Sequence, residues 1–150
     1  MRENTSKSQA FVNVTEAKTV PPQTCMLILA AIGASLLVIS TFLPWGTVGP
    51  EMKPPPQHYL SAVTNMMRTA AIIAWAGIIL HEYIKNPHFS YVALAASGIL
   101  SLSAVGMFTS TGTPLSWGAY SSLIGGITLT SSIIVEKLEV EIVIEGEKQN

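Results

Sequence analysis

Four stretches of this chain, about residues 25–45, 62–84, 89–110 and 115–135, total 87 residues and carry only two charged side chains, Arg68 and Glu82. The remaining 63 residues carry the other fifteen charges. A helix on the surface of a water-soluble domain needs a polar face, and these stretches do not supply one. Each is close to the roughly 20 helical residues that cross a hydrocarbon core about 30 Å thick. Lipid offers no hydrogen-bond partners, so a crossing segment pairs its own N–H and C=O groups and is expected to be helical. The chain therefore reads as an all-α polytopic membrane protein, a four-transmembrane-helix antiparallel bundle over residues 25–135. A polar tail precedes it over 1–24, and an acidic tail follows over 136–150.

Composition agrees. Charged residues make up 11% of the chain, against roughly a quarter in an ordinary soluble domain. A net charge of −1 leaves no basic footprint for nucleic acid. Lys85-Asn86-Pro87-His88 and Thr111-Gly112-Thr113-Pro114 are tight links, because Pro ends a helix and restricts the residue before it. They force spans two, three and four into an antiparallel series.

Basic residues near the span ends set orientation. Arg2, Lys7, Lys18, Lys85, Lys137 and Lys148 fall on one side and only Lys53 on the other. Both termini are expected in the cytoplasm, with the cell (plasma) membrane as the location. Trp45 and Trp117 then anchor the outer interface, with Tyr59 and Phe108 beside them, and Tyr83 and Tyr91 anchor the inner one. A secretory signal peptide in place of span one is rejected, since the segment before it exceeds 20 residues and the apolar run outlasts the usual ~7–15. The outer loop, 46–61, contains Pro54-Pro55-Pro56, a stiff spacer or docking element. Leu138, Val140 and Ile142 alternate with Glu139 and Glu141, which is strand periodicity. Such a strand needs a partner, the N-tail or another subunit; a frayed extension of span four fits equally.

Helices associate in lipid through small residues and interhelical hydrogen bonds. Span four has a file at i, i+4, namely Gly118, Ser122, Gly126 and Thr130; span three offers Ala93, Ser97 and Ser101; span two offers Ala70, Ala74 and Gly77. These serve packing within the bundle or between subunits. Arg68 is the costliest residue. With span two starting near Ala62 it lies about 9 Å along the helix, either snorkelling to the outer headgroups or paired with a group from another molecule. Glu82 is fourteen residues away, about 21 Å. His81, Glu82 and His88 gather at the inner end and are weak metal-ligand candidates, because no H-x-x-x-H or H-x-x-E-H spacing joins them. Cys25 is the single cysteine, which excludes an internal disulfide. No catalytic constellation is visible.

Two segments carry a resemblance. Phe42-Leu43-Pro44-Trp45-Gly46 and Trp117-Gly118-Ala119-Tyr120-Ser121-Ser122-Leu123-Ile124-Gly125-Gly126 resemble uncharacterised small prokaryotic four-span membrane proteins. These share a Phe-Leu-Pro-Trp exit from span one and a Gly-x-Tyr-x-x-Leu-x-Gly start to span four. The resemblance implies four spans with both ends inside, and no activity.

The expectation is thus a non-enzymatic structural or accessory subunit of a larger membrane complex, with the lipid bilayer and other membrane subunits or further copies as partners. No cofactor is expected beyond bound lipid. The alternatives are an oligomeric transporter or channel, with Ser97, Ser101, Ser122 and Thr130 lining a path and Arg68 at its mouth, and third a redox or metal-binding subunit using His81 and His88.

Overall fold

Each charge-poor stretch is a helix in the computed structural model, which describes residues 18–47, 55–84, 87–138 and 142–144. The order is β1 (Lys18–Val20), α1 (Pro22–Ser40), α2 (Gln57–Ile84), α3 (Pro87–Thr109), α4 (Trp117–Lys137) and β2 (Ile142–Ile144). The helices hold 19, 28, 23 and 21 residues, and each is long and apolar enough to cross a membrane. At ~1.5 Å per residue, α1, the shortest, is about 28 Å long and α2 about 42 Å.

The helix ends differ from the sequence expectation because tertiary contacts finish them. Pro22 opens α1, where a missing N–H costs nothing, and the N–H groups of Thr24 and Cys25 donate to the Pro21 carbonyl. The helix stops at Ser40, not at Trp45. The chain turns and Trp45 folds back, its Nε1–H donating to the Ser40 carbonyl at 2.9 Å. Its ring meets Phe108 edge-on, with centroids 5.7 Å apart. Both rings are buried, so Trp45, expected as an interface anchor, belongs to the core, and so does Phe108.

The exit segment then caps α4. Gly46 bridges Leu115, and the N–H groups of Ser116 and Gly118 donate to the carbonyls of Trp45 and Pro44 at 3.0 and 2.9 Å. Amides at a helix start have no partner within their own helix; here another span supplies it, and α4 begins at Trp117 instead of Leu115. A Cβ on Gly118 would lie 2.8 Å from the Leu43 carbonyl oxygen, so the two motifs behind the resemblance form one unit in space.

At the far end of α3, the hydroxyls of Thr109, Ser110 and Thr111 each donate to the carbonyl three residues back at 2.7 Å, and Gly112 turns the chain with φ 72°. Helix α2 begins at Gln57, five residues before the expected Ala62. Pro55 and Pro56 lead straight into it, and the Tyr59 and Leu60 amides donate to the Pro56 carbonyl.

Helix α4 packs chiefly on α1 and α3, and α2 chiefly on α3. Met26, Leu37, Met67, Leu94, Phe108 and Leu129 are the largest fully buried side chains. At the end carrying the tails, β1 pairs with β2, Lys18 opposite Ile144 and Val20 opposite Ile142. The N-tail is thus the partner of the C-tail strand, although the alternation from Leu138 to Ile142 falls largely outside the described residues.

Candidate functional site

The middle of the bundle is tied together by serine hydroxyls. The Ser97 hydroxyl donates to the Ala70 carbonyl at 2.6 Å, joining α3 to α2. The Ser101 hydroxyl donates to the Ser122 carbonyl at 2.7 Å and lies 2.9 Å from the Ser122 Oγ. Ser122 Oγ lies 3.0 Å from Met67 Sδ. Two hydroxyl protons serve three contacts, so one is shared. The small residues beside them let the backbones approach: a Cβ on Gly98 would lie 2.7 Å from Thr130 Oγ1, and one on Gly77 2.9 Å from the Ala93 Cβ. Ala70, Ala74 and Gly77 are buried on the α2 side of that contact. Of the expected packing residues, Gly118 stands apart from this layer, against the exit segment. Interhelical hydrogen bonds in membrane proteins contribute about 0.6 kcal/mol on average. Ser101→Ala is therefore expected to lower unfolding stability in micelles by that order, and an unchanged denaturation curve would show that the layer is filler.

At the tail end, Gln23, Thr24, Leu27, His81, Glu82 and Pro87 line a cleft of about 420 Å³. His81 Nδ1 is buried there without a hydrogen-bond partner among the described residues, and Glu82 is exposed. His88 points elsewhere, its ring perpendicular to that of Tyr91 at 6.5 Å. His81, Glu82 and His88 are not brought into one ligand set, and no group of three or more His, Cys, Asp or Glu able to hold a metal occurs among the described residues. Tyr91 faces α4 instead: the Lys137 ammonium lies 5.0 Å above its ring, within cation–π range. Nothing in the spacing of the sequence announces that contact, which exists only because α3 starts where α4 ends. Trp117 and Tyr83, the remaining expected anchors, are 74% and 83% exposed.

A continuous polar stripe lies on α2. Counting along the face turned away from the other helices, every exposed residue from Gln57 to Thr69 is polar: Gln57, His58, Ser61, Asn65, Arg68 and Thr69. Beyond Thr69 the same face carries Ile72, Trp75 and Ile79. Arg68 is eleven residues into α2, about 16 Å, deeper than the 9 Å expected from a start at Ala62. It points outward and makes no ion pair among the described residues. Sequence reasoning singled out Arg68 alone and missed Ser61, Asn65 and Thr69. Their signal was the spacing, since positions 61, 65, 68 and 69 share one helical face.

No family model, curated protein or solved structure matches the chain.

Proposed function

We propose that this chain is an integral-membrane accessory subunit, an antiparallel four-helix bundle with both termini in the cytoplasm, that acts through helix packing in a larger assembly and performs no chemistry of its own. The observation that carries this is the outward face of α2, which holds three helical turns of polar side chains, Arg68 among them. Charged groups within a membrane span ordinarily face a bundle interior or a partner, and here they face away from the chain's own bundle. A transport path through the bundle itself draws less support, because Ser97, Ser101 and Ser122, three of its four expected lining residues, are buried and engaged with Ala70, Met67 and each other, and the fourth, Thr130, donates to the Gly126 carbonyl of its own helix. Blue-native electrophoresis after mild solubilisation tests the proposal. The chain is expected to migrate in a complex well above its own 16.0 kDa; migration as a lone monomer in its micelle counts decisively against it.

A further inference from the structure

Contacts between the helices place Arg68 in height. The Ser97–Ala70 bond sets α3 against α2, and the Ser101–Ser122 bond sets α4 against α3. Two residues from each of these, Arg68, Ile99 and Ile124 fall at one level. Ile99 is 63% exposed and Ile124 54%, so two of the other helices present aliphatic surface where α2 presents a guanidinium, with Asn65 and Thr69 one turn away. Ile99 lies ten residues from Thr109, the end of α3, about 15 Å. That is half of a hydrocarbon core of roughly 30 Å, and farther than one arginine stem extends.

Among the described residues the charge has no counterpart. Within the described helices the carboxylates are Glu82 and Glu136, both near the tail end. Among the described residues, a second copy oriented the same way would bring another Arg68 or uncharged residues such as Ser35, Ile99 and Ile124 to this level, and no carboxylate; like charges repel. We propose that the outward face of α2 receives a transmembrane helix of a different protein, one bearing an Asp or Glu level with Arg68. Its own polar groups meet Asn65 and Thr69, and its apolar half lies along Ile72, Trp75 and Ile79. This rests on the accessory-subunit reading and gives the partner its chemistry.

A benzophenone amino acid placed at Asn65 or at Thr69 in the full chain, irradiated in native membranes and followed by mass spectrometry of the adduct, tests it. The expected adduct is a transmembrane peptide of another protein with Asp or Glu within a turn of the cross-link. Arg68→Leu should lower its yield roughly thirtyfold or more, as loss of one member of a buried charge pair does, while Arg68→Lys retains most of it. Exchanging the charges, Arg68→Glu with the partner's acid changed to Lys, should restore it. Because Arg68 points away from the core, Arg68→Leu should unfold at the same temperature as the parent, which separates lost docking from lost folding. An adduct with a second copy, with lipid alone, or with a peptide lacking an acid overturns the proposal, as does no adduct from either position or a yield indifferent to Arg68→Leu. A large native complex that survives Arg68→Leu intact would remove this inference and leave the accessory-subunit role standing; a lone monomer removes both.

Discussion

Gly126→Leu is expected to disrupt the bundle, while Gly106→Leu leaves it intact. Both glycines lie in helices with ordinary negative φ; among the described glycines the positive φ is at Gly112. Intrinsic propensity predicts the same sign for both, since Gly is about 0.8–1.0 kcal/mol worse than Ala in a helix interior and Leu is close to Ala. Packing separates them. A Cβ at Gly126 would lie 2.9 Å from Ser101 Oγ, 3.1 Å from Ser101 Cβ and 3.3 Å from the Gly98 carbonyl oxygen. Two of those atoms are a Cβ and a backbone oxygen, which cannot swing aside, and Leu adds three further carbons. Overpacking a well-filled interior costs typically ~1–3 kcal/mol and occasionally more, and here it also separates the Ser101–Ser122 bond. Propensity loses, and the net effect is destabilisation by roughly 2 kcal/mol or more. At Gly106 nothing lies within 4 Å of the added carbon, so propensity acts alone and stability stays level or rises by up to about 0.8 kcal/mol. Reversible denaturation of both variants in micelles, followed by circular dichroism, checks this; equal curves would mean that α3 and α4 are not in contact at Gly126.

The spans were legible because charge is expensive in lipid: a segment with at most two of Asp, Glu, Lys or Arg over some twenty apolar residues has few other ways to exist. Their ends were less so. Residues 41–45 are as free of charge as the helix before them, so charge does not mark the stop; Pro44, which cannot continue a helix, and the Trp45 indole folding onto the Ser40 carbonyl end α1 at Ser40. Gln57, His58 and Ser61 look like loop by polarity, yet all three are compatible with a helix, and α2 begins at Gln57, directly after Pro56. Burial of aromatics was also hidden. Belt aromatics and core aromatics have the same composition, so Trp45 and Trp117 cannot be told apart until the exit segment is seen pairing with the start of α4. The small-residue files were readable as packing surfaces, but which helix each one meets depends on the order of helices around the bundle. The polar stripe on α2 lay in plain sight as a spacing. Its importance depended on which way it faced, and burial, not sequence, supplies that.

Trp45→Ala is expected to be the most damaging single change at the loop end. The ring is 6% exposed, its N–H closes the last carbonyl of α1 at 2.9 Å, its edge meets Phe108, and its backbone carbonyl caps Ser116 at 3.0 Å. Truncation leaves a cavity between α1, α3 and α4, and Trp→Ala in a packed interior costs roughly 3–5 kcal/mol. Trp45→Phe keeps a ring against Phe108 and loses the indole donor, so it should cost only about 1 kcal/mol, the net worth of one hydrogen bond. Trp117→Ala is the control, because Trp117 is 74% exposed and its removal opens no cavity; it should leave the unfolding midpoint nearly unchanged. The expected order of stability is parent and Trp117→Ala together, then Trp45→Phe, then Trp45→Ala, with limited proteolysis of Trp45→Ala cutting first between α1 and α2. If Trp45→Ala and Trp117→Ala unfold alike, the exit segment does not hold α1 to α4, and the unit built from the two shared motifs does not exist in the membrane.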